Sequence, residues 1–197
     1  MVPAVILAAG DSTRMGSPKA ALLTPHGDSF VTHIARTLQH AGVDDLVIVT
    51  GSHHDAVIEA FARARRPLPR IVRNPDPSRG QLSSFLAGMD AVVTPQSDAV
   101  MMTLVDVPLV RVSTVIAVME TWQRTRAPIV RPAIGDQHGH PVIFDRALFD
   151  ELRRAPLDAG AKSVVRAHEH AIVNVPVDDE GCVRDVDTPA DYRALEK

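Results

Sequence analysis

Apolar positions along the chain fall into short continuous runs separated by stretches with helical spacing. Residues 3–9 are apolar without interruption until Gly10, as in a parallel strand buried on both faces. Phe30, Ile34 and Leu38, with Val31 and Ala35 beside them, recur at helical spacing up to Gly42, and residues 46–50 read as a second buried strand. Asp55 is placed to cap a helix through Val57, Ile58, Phe61 and Ala62 that ends before Pro67, and residues 70–72 predict a third strand. Past the polar loop 74–80, Leu82, Phe85, Leu86 and Met89 predict another amphipathic helix. Residues 99–105 form the most apolar strand and stop at Asp106-Val107-Pro108, and Ser113 opens a helix running to about Arg126.

From Ile129 the alternation loosens. Extended pieces around Val130 and at 142–144 flank the polar turn 135–139, and a short helix is expected over 147–153. Strands are expected at 171–175 and 183–186, with a terminal helix starting at Thr188-Pro189. Strands alternating with helices predict an α/β fold: a single-domain, Rossmann-like open, mostly parallel (mixed) sheet with helices on both faces. Ligands bind such sheets beyond the carboxyl ends of the strands, where the polar motifs of this chain lie.

Composition narrows the function classes. A hydrophobic share of 45% with a mean hydropathy near zero is ordinary for a globular domain, and 197 residues suit one core rather than two. A net charge of -3 leaves no overall positive field for a nucleic-acid backbone, so no nucleic-acid partner is expected. The apolar start lacks a basic flank and is too short to span a bilayer, so neither a signal peptide nor a membrane partner is expected. Cys182 stands alone, which excludes an intrachain disulfide and suits a reducing, cytoplasmic setting. Arg63, Arg65, Arg66 and Arg70, punctuated by Pro67 and Pro69, read as a solvated helix end. The pairs His138/His140 and His168/His170 have strand-type metal spacing but no third ligand close in sequence.

The chemistry concentrates in the loop from Leu7 to Lys19. Ala8, Ala9 and Gly10 remove bulk at a strand end, so backbone amides there can approach a nucleotide closely. Arg14 and Lys19 follow, a guanidinium clamp and a point charge suited to a triphosphate. Lysine occurs only at positions 19, 162 and 197, which sets the loop lysine apart from background usage. A Walker loop would need Gly-Lys-Ser/Thr where Ser17-Pro18-Lys19-Ala20 stands, and a dinucleotide fingerprint would need glycine at Ser12. Asp106 ends an apolar strand, where Mg2+ is a natural partner for its carboxylate. Asp187 is the candidate second ligand, because magnesium in such sites takes one or two carboxylates and completes its shell with water and phosphate oxygens. Capping of the following helix is the competing role for Asp187.

Residues 7–19, followed by Leu22-Leu23, resemble the LAAGxSxRMGxPKxxLL signature of the MobA-like NTP transferases. The resemblance continues through Gly80-Gln81-Leu82-Ser83-Ser84, Asp106-Val107-Pro108, Gly139-His140-Pro141-Val142 and Asp185 to Tyr192, covering nearly the whole chain. Leu-Ala-Ala-Gly with Gly-His-Pro-Val is most similar to the molybdenum cofactor cytidylyltransferases, whereas the guanylyltransferase branch usually shows Leu-Ala-Gly-Gly. The chain departs from the family at Val107, often glutamine, at Gln81, often methionine, and at Leu157, often glycine.

The resemblance implies a Mg2+-dependent nucleotidyltransferase that moves a nucleoside monophosphate from a nucleoside triphosphate, CTP favoured, to a phosphorylated acceptor of the molybdopterin type, releasing pyrophosphate. It implies catalytic roles for Arg14, Lys19 and Asp106, and nucleotide contacts at Leu7, Ala8, Ala9, Gly10, Arg14, Lys19, Gly80, Gln81 and Ser84. It further implies acceptor contact at His140, metal ligation by Asp106 and Asp187, and a molybdoenzyme or its chaperone as downstream partner. One nucleotidyltransferase domain over 1–197 is expected, nucleotide-binding in its N-terminal half and acceptor-binding over roughly 108–180. Related alternatives are a molybdenum cofactor guanylyltransferase, a methylerythritol-phosphate cytidylyltransferase and a sugar-phosphate nucleotidyltransferase. Alternatives of another class are a non-catalytic nucleotide-binding accessory protein and a Rossmann-type oxidoreductase.

Overall fold

The apolar runs become the strands of one sheet. The computed structural model describes residues 1–65 and 68–195. In chain order its elements are β1 (Ala4–Ala8), α1 (Phe30–His40), β2 (Leu46–Thr50), α2 (His54–Arg63), β3 (Arg70–Arg73), α3 (Gln81–Val92), β4 (Ala99–Leu104), α4 (Val112–Thr125), β5 (Ile129–Ile134), β6 (Gln137–His138), β7 (Val142–Asp145), α5 (Phe149–Arg154), α6 (Ala161–Ala167), β8 (Ile172–Pro176) and α7 (Pro189–Arg193). The eight strands order as β3-β2-β1-β4-β7-β5-β6, with β8 also paired to β5. Pairs β1–β2, β1–β4, β2–β3 and β5–β8 are parallel, and β7 is antiparallel to both β4 and β5. The α/β fold with a mixed, mostly parallel sheet therefore stands as expected.

Strand alternation divides the core in two. Ala4, Ile6 and Ala8 of β1 pack with Phe30, Ile34 and Leu38 of α1, Phe61 of α2 and Trp122 of α4 on one face. Val5 and Leu7 pack with Leu82, Phe85 and Met89 of α3, Leu152 of α5 and Val164 of α6 on the other. Phe30, Ile34 and Leu38 are each 0% exposed, and burying each contributes about 1.5–3 kcal/mol. Ser29 caps α1 by accepting the Thr32 amide at 3.3 Å. Close packing of α3 needs Gly88, since a Cβ there would lie 2.4 Å from Val5 Cγ1.

β1 has β2 on one side and β4 on the other, and α1 and α3 lie on opposite faces. The chain thus reverses its winding at the β1/β4 pair, and a crevice opens beyond their carboxyl ends. The Leu7–Lys19 loop leaves β1 there, and Asp106 leaves β4.

Several local expectations shift. Asp55 lies inside the first turn of α2, whose N-cap is His53. The helix stops at Arg63, while Pro67, expected to end it, and Arg66 of the basic cluster lie outside the described residues. α4 begins at Val112 rather than Ser113, because the buried Asp179 carboxylate accepts the Arg111 amide at 2.8 Å and the Thr114 hydroxyl at 2.5 Å. Residues 183–186 are not a strand: the Val186 amide donates to the Asp106 carbonyl at 2.8 Å, outside any ladder. Helix α6 is an addition that hydrophobic spacing did not show. Among the described residues no helix is long and apolar enough to cross a membrane.

Candidate active site

A cleft of about 640 Å³ occupies the crevice. The β1 side supplies Leu7, Ala8, Ala9 and Gly10, then Arg14 and Lys19. Gly80, Gln81 and Ser84 line it from the start of α3, and Asp106 and Asp187 close it from β4 and the C-terminal segment. The structure thus gathers every nucleotide and metal candidate read from the sequence around one cleft, while His140, the acceptor candidate, is not among its lining residues.

The small residues do what a ligand needs. A Cβ on Gly10 would find nothing within 4 Å, so the space over Gly10 belongs to the cleft rather than to packing. The loop is held from below: the Ser12 hydroxyl accepts the Lys19 amide at 3.1 Å, and Ser52 donates to Asp11 Oδ1 at 2.9 Å. Across the cleft, Asn74 Nδ2 donates to the hydroxyls of Ser83 and Ser84, each at 2.9 Å. The Ser83 hydroxyl donates a hydrogen bond to the Gly80 carbonyl at 2.7 Å, fixing the turn into α3. Ser84 also lines the cleft.

Charge in the cleft is organised around Lys19. Its Nζ donates to Asp106 Oδ2 at 3.1 Å and to Asp187 Oδ1, while Arg14 donates to Asp187 Oδ2 at 2.9 Å. The bond from Val186 to the Asp106 carbonyl brings the two carboxylates together. Capping of α7 falls to Thr188 and Asp191 in a reciprocal box, so Asp187 is free of that role. Burial alone would lower the Lys19 pKa, but hydrogen bonds and charge from Asp187 and Asp106 outweigh it and raise it. The Lys19 hydrogen bond, with help from Arg14, holds Asp187 below its ordinary value. Asp185, to which the sequence alone assigned no role, is a third carboxylate within charge reach: desolvation and the charges of Asp106 and Asp187 raise its pKa.

The donor set fits a hard divalent cation. Asp106 Oδ1 is buried with no hydrogen-bond partner, an acceptor that a cation would satisfy. Among the described residues no three His, Cys, Asp or Glu groups cage a metal, so a cation here would take two carboxylates and fill its shell with phosphate oxygens and water.

His140 is not among the residues that line the cleft; its Nδ1 lies 3.5 Å from the Met102 carbonyl, and burial lowers its pKa. His168 pairs instead with Glu151 at 2.7 Å. Arg63 pairs with Glu59, and Arg70 donates to the Ala91 carbonyl, as expected of surface cations. The cleft also holds Lys162, which lysine scarcity flagged in the sequence without giving it a role.

Known proteins resemble this chain over most of its length. A family model described as the MobA-like NTP transferase domain matches residues 4–172. Nicotine blue oxidoreductase of Paenarthrobacter nicotinovorans is 33% identical, over 98% of this chain and 96% of its own. Molybdenum cofactor cytidylyltransferase of Escherichia coli (strain K12) is 25% identical, over 97% of this chain and 93% of its own. The crystal structure of Rv0371c from Mycobacterium tuberculosis H37Rv matches with a TM-score of 0.83 at 30% identity, over 98% of this chain and 96% of that one. A complex of Rv0371c with manganese matches at 0.75 and 27%, over 98% and 97% of the two chains. The loop signature, the crevice it lines and a family match over most of the chain converge, and the chain belongs to the MobA-like NTP transferase family of nucleotidyltransferase enzymes.

Proposed function

We propose that this protein transfers a nucleoside monophosphate from a nucleoside triphosphate, CTP by preference and with Mg2+, to the phosphate of a molybdopterin-type acceptor, releasing pyrophosphate. The observation that carries this is the convergence of Lys19, Arg14, Asp106 and Asp187 over an open floor at Gly10. The similarity to a molybdenum cofactor cytidylyltransferase supports the choice of base and acceptor.

Backbone amides and the space over Gly10 accept the triphosphate, and Arg14 and Lys19 offset its charge. Gly80, Gln81 and the Ser84 hydroxyl are placed for the nucleobase. A divalent cation, held by Asp106 and Asp187, would neutralise charge on the phosphates as the bond to pyrophosphate breaks. An oxygen of the acceptor phosphate attacks the α-phosphorus in line with the departing pyrophosphate, forming one P–O bond and breaking another. A phosphate nucleophile is ionised near neutral pH, so positioning and charge offset suffice without a general base.

Pyrophosphate release is to be measured with CTP, GTP, ATP and UTP, each with and without Mg2+ and purified molybdopterin. Release only with nucleotide, cation and acceptor together supports the reading, and no release under any combination removes it.

One observation favours a second reading. The 33% identity to a nicotine blue oxidoreductase over nearly the full chain suits a reductase that places a nicotinamide dinucleotide in this cleft. Binding of NAD without any triphosphate binding would select it. A non-catalytic accessory protein would bind CTP and release no pyrophosphate.

A further inference from the structure

A second cleft of about 910 Å³ opens beside the first. Gly80, Gln81 and Lys162 line both, so the two are continuous. Their cations differ in one respect. In the first cleft Arg14 and Lys19 are engaged by Asp187 and Asp106. In the second, Arg79 and Lys162 have no ion-pair partner among the described residues, although Asp158 also lines the wall. Lys162 stands on the second residue of α6, which Ala161 and Val164 anchor in the core at 9% and 1% exposure. With lysine found at only three positions, two of the three face this continuous space.

Transfer between two phosphates sets an electrostatic requirement. A phosphate monoester carries about -1.5 to -2 charges near neutral pH and must come within bonding reach of another polyanion. Cations that already hold the triphosphate cannot also offset the incoming charge. Lys162, at the junction of the clefts, is placed to offset it at the point of attack, and Arg79 adds a fork that matches phosphate oxygens.

We propose that Lys162 and Arg79 form the docking site for the phosphate monoester of the acceptor, with Lys162 at the junction and the apolar side chains of Leu157, Ala159 and Ala161 beside the body that carries it. This rests on the nucleotidyl-transfer reading. It places acceptor recognition at the start of α6 rather than at His140.

The test uses phenyl phosphate as the probe, with binding followed by saturation-transfer difference NMR, and CTP binding followed separately by calorimetry with Mn2+. Phenyl phosphate is expected to bind the wild-type protein saturably and without competing with CTP. Lys162→Met should weaken it about tenfold, as loss of one charge-assisted hydrogen bond implies, and Arg79→Met should weaken it less. Lys162→Arg should retain binding, and Arg166→Met, on the same helix but outside both clefts, should leave it unchanged. CTP affinity should stay unaltered in Arg166→Met. Equal phenyl phosphate binding by wild type and Lys162→Met overturns the proposal, as does competition between phenyl phosphate and CTP for one site. Failure of the wild-type protein to bind CTP, GTP, ATP or UTP removes the nucleotidyl-transfer reading instead, and the phenyl phosphate comparison still decides the subsite.

Discussion

Replacing Lys19 by methionine keeps a stem of similar size and removes the charge between Asp106 and Asp187. The Lys19 side chain is 12% exposed and the two aspartates 25% and 32%, so water screens these contacts only in part. A hydrogen bond to a charged group is worth about 1.5–3 kcal/mol; two are lost, partial screening reduces each, and a net cost of about 2 kcal/mol follows. In a domain of this size that lowers Tm by about 4–8 °C. The stabilisation has a defined pH range. Asp187 titrates below its ordinary value of 3.8, so the pairing is present at neutral pH and fades as the pH falls through that depressed value. The gap in Tm between wild type and Lys19→Met should therefore close in acid. Thermal melts in EDTA and in Mn2+ give the assay. The variant should melt lower in EDTA and gain more from Mn2+ than wild type, because in wild type the ammonium competes for both carboxylates. Equal Tm values in EDTA, or a larger Mn2+ gain in wild type, would refute the reasoning.

Two substitutions separate the fold from the site, and thiol labelling reports on the core. Gly10→Val should leave the melting temperature nearly unchanged, since nothing lies within 4 Å of its Cβ, yet weaken CTP binding about tenfold or more by filling the space the nucleotide needs. Gly88→Ala should do the reverse: its Cβ meets Val5 Cγ1 at 2.4 Å and Val49 Cγ2 at 2.8 Å, and a urea melt should show a loss of about 1–3 kcal/mol with CTP affinity per folded molecule retained. Cys182 is 0% exposed and burial pushes its thiol up to about 11, so Ellman's reagent should label it at mildly alkaline pH only after denaturation.

Much of the sheet was legible because strands buried on both faces leave continuous apolar runs. Residues 46–50 were read with their observed limits, and 99–105 missed by one. Helix α6 was not legible: it is short, and only Ala161 and Val164 are buried, too few to set a period. The start of α4 depends on Asp179, a cap supplied from far along the chain that no local signal carries. Residues 183–186 have the look of a strand, yet they serve to pin Asp187 beside Asp106 through the Val186 amide. The loop motif and Asp106 could be read from residue type and strand ends, and Asp187 from the motif that the chain resembles. Asp185 and Lys162 could not, because their relevance arises only where the C-terminal segment and α6 meet the β1/β4 crevice.

The central claim is that the Leu7–Lys19 loop and Asp106 form one site for nucleotidyl transfer. Its most direct test is stoichiometric pyrophosphate release from CTP, Mg2+ and molybdopterin by wild type and by Asp106→Ala. The account predicts one pyrophosphate per cytidylylated acceptor in wild type, and at least about a hundredfold loss in the variant, whose fold remains intact by thermal melt. Near-normal release by folded Asp106→Ala, or no release by wild type, would contradict it.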